Sequence, residues 1–149
     1  LVVNSPHTPT GGMLDRADLE GIAAVAMAHD LVVLTDEIYG RLIHEGEHHS
    51  LLEVDGMGER TIVLDGVSKT YAMTGWRIGY AAGPRELIGA MRTVQSQSSG
   101  NPCSISQWAA VAALAAHAGD PYAIQGGYED LDSQGERVRA LRIPAYLGL

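Results

Sequence analysis

The chain opens on an apolar run, Leu1 to Val3, which ends at Asn4 and gives way to SPHTPTGGMLD, a segment whose prolines and glycines exclude regular structure. A strand followed by a loop is predicted. From Arg16 to His29 the apolar positions Leu19, Ile22, Ala23 and Ala26 recur at helical spacing, and Asp15 stands where it would cap that helix. Leu31 to Thr35 (LVVLT) is a continuous aliphatic run, the pattern of a strand buried on both faces of a parallel sheet. Strand, helix and strand in this order predict a βαβ unit.

A polar stretch over 40–60 separates this unit from a third predicted strand, Thr61 to Leu64 (TIVL), which ends at Asp65-Gly66. SKTYAMTG reads as loop, and Trp76 to Ala81 alternates as a fourth strand. The link between these two strands holds no convincing helix, whereas parallel crossovers need one, so the fourth strand is expected to run antiparallel. Pro84 suits the first residue of a helix to about Ser96. Ser104 and Gln107 spell a capping box for a helix to about Ala118, closed by Gly119. Asp120-Pro121 opens a further helix to roughly Leu141, weakened by Gly126, Gly127 and Gly135. The expected fold class is α/β, a mainly parallel sheet flanked by helices, with a helical tail.

At 149 residues, with 46% hydrophobic and 19% charged residues, the chain suits one globular domain with a real core. No apolar run approaches the ~18 residues of a membrane span. A net charge of −8 makes nucleic acid a poor partner, because binding its backbone rests on lysine and arginine neutralising phosphates. The single cysteine, Cys103, cannot form an internal disulfide, which predicts a reducing compartment, the cytoplasm. The start on Leu1 and the apolar stop at Leu149 suggest an internal portion of a longer protein. Lys69 is the only lysine among ten basic residues, so any lysine chemistry in this chain falls on it.

In an open parallel sheet, ligands bind beyond the carboxyl ends of the strands. Four predicted strand boundaries lead there: Asn4 to Gly11, Asp36 to Tyr39, Ser68-Lys69, and the approach to Arg77. They hold an acid, a phenol, a lysine and an arginine. Each has a bland reading as well. A lone lysine is usually a solvated surface group, Asp36 and Glu37 could be a solvated strand end, Arg77 could lie on an exposed edge, and PTGG could be an ordinary turn. Spacing to Tyr39 and Lys69 raises Asp36 alone; Glu37 reads as structural, and Tyr71, Trp76 and Tyr80 read as packing residues.

In NSPHTPTGG (Asn4 to Gly12), TDEIYG (Thr35 to Gly40), SKTYAMTGWRIGYAAGP (Ser68 to Pro84) and QSQSSGNPCSISQWAA (Gln95 to Ala110), the chain resembles the class I and II aminotransferases of the fold-type I pyridoxal-phosphate enzymes. The similarity is closest to their aspartate aminotransferase-like branch. It implies an incomplete cofactor-binding large domain over 1–120, with a linking helix and the start of a small domain over 121–149. It also implies pyridoxal 5'-phosphate held on Lys69 as a Schiff base, with the freed amine moving the substrate Cα proton. Asp36 would face the pyridine nitrogen, Tyr39 would donate to the phenolic oxygen, and Arg77 would grip the phosphate with its planar fork, helped by Ser68. The implied reaction passes an amino group between an amino acid, aspartate in this branch, and a 2-oxo acid, within a cytoplasmic homodimer. The family's ring that stacks on the cofactor and its arginine for the substrate carboxylate are not matched here, so the chain is expected to be inactive alone. The same residues also serve β-eliminating lyases and cyclopropane-forming synthases, and a decayed piece would keep them too.

Two positions depart from the family. Thr8 stands where an asparagine usually donates to the phenolic oxygen, and its shorter hydroxyl remains a candidate cofactor contact. Gly66 stands where a serine often binds phosphate, a loss that Ser68 could offset. His44-Glu45-Gly46-Glu47-His48 also fits H-E-x-x-H, leaving zinc hydrolysis through His44 and His48 as a remote alternative. That chemistry requires a helix, whereas Gly40, Gly46 and Ser50, without amphipathic periodicity, predict a loop and no metal.

Overall fold

The computed structural model describes residues 1–116. The helix end expected at Ala118 and Gly119, the helix over 120–141 and the unit 121–149 lie outside the described residues. Strand β1 (Val2–Asn4), helix α1 (Arg16–Ala28) and strand β2 (Val33–Asp36) form the expected βαβ unit. Helix α1 begins in a reciprocal cap: Asp15 accepts from the Asp18 backbone at 2.9 Å and Asp18 accepts from the Asp15 backbone at 3.1 Å, satisfying two otherwise orphaned N–H groups. Its buried face, Leu19, Ala23 and Ala26, packs with Val3 and Val33 and with Leu51 and Met57 from the polar stretch.

The chain leaves α1 through a left-handed Asp30, and the Leu31 N–H returns to the Ala26 carbonyl at 2.8 Å. Strand β2 therefore starts at Val33, two residues later than its aliphatic run suggests. Nor is it buried on both faces: Val33 and Thr35 are buried, while Leu34 and Asp36 are half-buried. α1 packs against one face, and the two-residue alternation of a strand turns Leu34 and Asp36 to the other.

Strands β3 (Thr61–Gly66) and β4 (Gly79–Ala82) complete a four-stranded sheet in the order β1-β2-β3-β4. The first three strands are parallel and β4 is antiparallel to β3, as the short connection requires. That connection is not all loop: it holds the short helix α2 (Val67–Thr70), then a 3-10 turn over Thr74–Trp76. Trp76 is thus outside the strand predicted to contain it. β3 ends at Gly66, opposite Gly79, so residues before Gly79 have no ladder to join. Within the polar stretch, Ser50 and Glu53 cap a second 3-10 turn at Leu51–Glu53.

Helix α3 spans Arg85–Ser98, so Pro84, predicted as its first helical residue, is its cap instead. Helix α4 spans Ser104–Ala116. The capping box expected from Ser104 and Gln107 does not form. The helix starts earlier, with the Gln107 N–H on the Cys103 carbonyl at 3.0 Å, and the Gln107 side chain donates to the Pro102 carbonyl at 2.7 Å. The Cys103 thiol takes the cap's place, and hydrogen bonds from the Ser106 and Ile105 backbone hold its pKa below the usual thiol value. No described helix is long and apolar enough to cross a membrane.

Close approach of β3 to β4 explains Gly66. A Cβ there would lie 2.8 Å from the Ile78 carbonyl oxygen and 3.1 Å from the Gly79 Cα, both backbone atoms that cannot step aside. Gly66→Ser is therefore expected to destabilise the protein by about 1–3 kcal/mol through overpacking, seen as a lower urea midpoint. An unchanged midpoint would mean that the two strands part freely.

Candidate active site

Parallel pairing aligns Asn4 with Asp36 and Asp36 with Leu64, so three strands end at one edge of the sheet. The antiparallel β4 begins at that same edge, because Gly79 faces Gly66. All four sequence segments singled out above therefore converge there. Asn4 binds them locally: its amide donates to the Asp36 carbonyl at 3.0 Å, and its side-chain oxygen accepts the Thr8 N–H at 3.1 Å. The Ser5 N–H donates to the same Asp36 carbonyl at 3.2 Å, and the Ser5 hydroxyl accepts from Leu14, so the proline-rich loop is pinned at both ends.

Asp36 accepts the Ile38 N–H on Oδ1 at 3.2 Å, while its other carboxylate oxygen has no hydrogen-bond partner among the described residues. A carboxylate at a strand end with one free oxygen can meet a cationic or N–H donor. Tyr39 lies one turn further on, and Lys69 and Thr8 stand near enough its hydroxyl to act on it as hydrogen-bond partners. Lys69 Nζ stands 5.2 Å from the centre of the Tyr39 ring. That is within the ~6 Å reach of cation–π attraction. The Lys69 hydrogen bond first, and the Thr8 hydrogen bond second, hold the Tyr39 phenol below the usual tyrosine range, against desolvation and the Asp36 charge. Thr8, shorter than the family's asparagine, does reach a partner here, the Tyr39 hydroxyl.

Ser68 and Arg77 are less engaged. Ser68 is half-buried on α2 and its hydroxyl has no partner among the described residues. Arg77 is exposed, donates one guanidinium N–H to the Thr74 carbonyl at 2.8 Å, and has left-handed backbone angles of φ 57 and ψ 45. Such angles cost a non-glycine residue about 1–3 kcal/mol and cluster at functional sites. Lys69 and Thr8 thus both flank Tyr39, with the Asp36 charge beside it, while Ser68 and Arg77 share the edge without contacting that group through a hydrogen bond.

Other polar ties at this edge carried no motif. Glu37 points to the opposite side from Asp36 and is half-buried, accepting from Thr35 at 3.3 Å, Ser50 at 2.9 Å and His48 at 3.1 Å. His48 and Glu37 have side chains only 7% and 11% exposed. Three donors on one carboxylate give Glu37 the structural role expected of it. The His44 to His48 stretch is a loop, with Gly46 at φ 87, and His48 is engaged with Glu37. Among the described residues no group of three or more His, Cys, Asp or Glu side chains is arranged to hold a metal ion. Tyr71 and Tyr80, read from sequence as packing residues, each have a polar partner: Arg41 donates to the Tyr71 hydroxyl at 3.1 Å and the Tyr80 hydroxyl donates to Asp65 at 2.9 Å. Sheet register sets Tyr80 opposite Asp65, whereas Arg41 and Tyr71 meet only through the tertiary fold.

The sequence model of the family described as aminotransferase class I and II matches residues 1–125. The aspartate/prephenate aminotransferase of Thermus thermophilus is 50% identical over 114 residues, 76% of this chain and 29% of that protein. The asparagine–oxo-acid transaminase of Streptococcus mutans is 45% identical over 116 residues, 76% of this chain and 30% of that protein. Among solved structures, aspartate aminotransferase from Thermus thermophilus with maleate superposes with a TM-score of 0.75 at 42% identity, covering 93% of this chain and 34% of that one. The aromatic aminotransferase from Pyrococcus horikoshii superposes with a TM-score of 0.74 at 38% identity, covering 91% of this chain and 34% of that one. The chain spans about 30% of the length of the curated relatives it matches.

The Tyr39 contacts are open to direct titration. Because Lys69 and Thr8 stabilise its phenolate, Tyr39 is expected to lose its proton at lower pH than a free tyrosine. Lys69→Met should raise that pH, and Thr8→Val should raise it less. Tyrosinate absorbance, taken as the difference with and without an added Tyr39→Phe substitution, measures both shifts. Identical titrations in all three proteins would contradict the geometry.

Proposed function

The chain belongs to the class I and II aminotransferases, and from that premise we propose that it is part of a pyridoxal-phosphate-dependent enzyme that moves an amino group between an amino acid and a 2-oxo acid. The observation that carries this reading is the group at the sheet edge: a phenol flanked by an amine and a hydroxyl, beside a carboxylate with one oxygen free. These donors and acceptors suit the cofactor's functional groups. Lys69 would hold its aldehyde, Asp36 its ring nitrogen, Tyr39 and Thr8 its phenolic oxygen, and Ser68 and Arg77 its phosphate. Arg77 keeps further guanidinium N–H groups unpaired among the described residues, and Ser68 keeps its hydroxyl.

When bound, the cofactor supplies an electron sink for the substrate's α-carbon. The residues of the chain supply position and proton traffic. Lys69, once its amine is free, is the group able both to take a proton from the α-carbon and to return one. Tyr39 holds that amine by its hydroxyl, and Asp36 presents a negative charge that keeps a ring nitrogen protonated. The names of the relatives favour a dicarboxylic amino acid such as aspartate as amino donor. In this reading residues 1–120 belong to the large domain, residues 121–149 lead into the small one, and the whole protein works as a cytoplasmic homodimer.

Borohydride reduction of the full-length protein loaded with pyridoxal phosphate, followed by peptide mapping, tests the assignment. The cofactor is expected on the Lys69 peptide, and Lys69→Ala should abolish both the label and transamination. Label recovered on a different lysine would end the proposal. Alternating half-reactions with amino acid and then 2-oxo acid are expected, and their absence would argue for a lyase instead.

A further inference from the structure

Lys69 sits on a helix that cannot hold itself in place. Helix α2 is four residues long, its N-terminal cap at Gly66 makes no side-chain hydrogen bond, and the chain leaves it through Tyr71 and a left-handed Ala72. A single turn fixes several backbone angles for one hydrogen bond and is unstable alone. Its position must therefore come from tertiary contacts. One is Val67, fully buried, whose N–H reaches the Ile78 carbonyl at 3.3 Å.

The other lies at the Tyr71 end. Arg41 donates to the Tyr71 hydroxyl at 3.1 Å. Arg41 follows Tyr39 by two residues, and Tyr71 follows Lys69 by two. The segments 39–41 and 69–71 thus meet at two points side by side, Lys69 Nζ 5.2 Å from the centre of the Tyr39 ring and the Arg41 guanidinium on the Tyr71 hydroxyl. Asp65, at the end of β3, backs the second one. It accepts the Gly66 N–H at 2.6 Å and the Tyr80 hydroxyl at 2.9 Å, tying the start of α2 to β4, and its charge acts on the Tyr71 phenol. Burial first of all pushes the Tyr71 phenol up from its usual value, with Asp65 adding to the push and Arg41 opposing it. Tyr71 therefore stays neutral, and its oxygen remains a fixed acceptor for the Arg41 guanidinium.

We propose that Arg41 and Tyr71 are positioning residues: their hydrogen bond, backed by Asp65 and Tyr80, sets α2 against the segment after β2 and so keeps the Lys69 amine at the Tyr39 hydroxyl. The pair acts through Lys69. As a role in the reaction it rests on the aminotransferase reading, but the placement of Lys69 can be tested without cofactor.

The test uses Tyr71→Phe, which removes one oxygen, and Arg41→Met, which keeps the stem and removes the charge, in the cofactor-free full-length protein. Tyr39 is titrated by tyrosinate absorbance, each variant being compared with itself carrying Tyr39→Phe. Freed from Lys69, Tyr39 is expected to ionise about threefold to tenfold less readily in either variant, and Arg41→Lys should restore part of the change. Folded variants whose Tyr39 titrates as in the parent overturn the proposal. Unfolding of both variants overturns it too, because the pair would then be holding the fold as a whole. With cofactor and substrates, the same variants are expected to lower kcat more than they raise KM. Failure of the cofactor to attach to Lys69 in the unaltered protein would remove the aminotransferase reading, while a moved Tyr39 titration would leave the brace standing.

Discussion

Asn4 is where the site is assembled. Its amide grips the Asp36 carbonyl, and its oxygen grips the Thr8 backbone, so the ends of β1 and β2 and the proline-rich loop share one junction. Parallel pairing then carries the alignment across to Leu64 in β3. Because carboxyl ends in a parallel sheet stop at a common edge, the residues that follow them are neighbours however far apart they lie in the chain. Thr8, Tyr39 and Lys69 meet for this reason, with sixty residues of sequence between the first and the last.

Adjacent acids at the end of β2 divide the work by parity. Asp36 faces the open side of the sheet and keeps a carboxylate oxygen free, whereas Glu37 turns inward and spends both oxygens on Thr35, Ser50 and His48. A buried carboxylate is tolerable only when its oxygens are satisfied, and Glu37 meets that condition by drawing the 48–50 segment onto the sheet. One effect is steric. A Cβ on Gly40 would come within 2.9 Å of the His48 ring. The loop that carries the histidines is therefore part of the scaffold beneath Asp36 and Tyr39, and its resemblance to a zinc-binding motif is a matter of letters without the helical geometry that motif needs.

Much of the fold was legible from the chain alone. The βαβ unit, the antiparallel fourth strand and helices α1, α3 and α4 follow from hydrophobic period, turn residues and the length of the links. The misread places have local reasons: α2 was read as loop because four residues carry no period, the box at Ser104 fails because the Gln107 N–H goes to the Cys103 carbonyl, and Trp76 alternates like a strand where β3 offers it no partner. Gly66 looked like a lost ligand, whereas the spacing between β3 and β4 requires it.

By itself the sequence determined the family and the class of fold, and it singled out Lys69, the chain's one lysine, within a long, specific motif. Tertiary structure alone decided which residues touch it. Side-chain contacts over long separations depend on strand register and on which face each residue takes, and neither is encoded locally. Hence Thr8 turned out to bond Tyr39, Ser68 and Arg77 turned out to stand apart from Lys69, and Arg41 and Tyr71, unremarkable in the sequence, turned out to brace the helix that carries it.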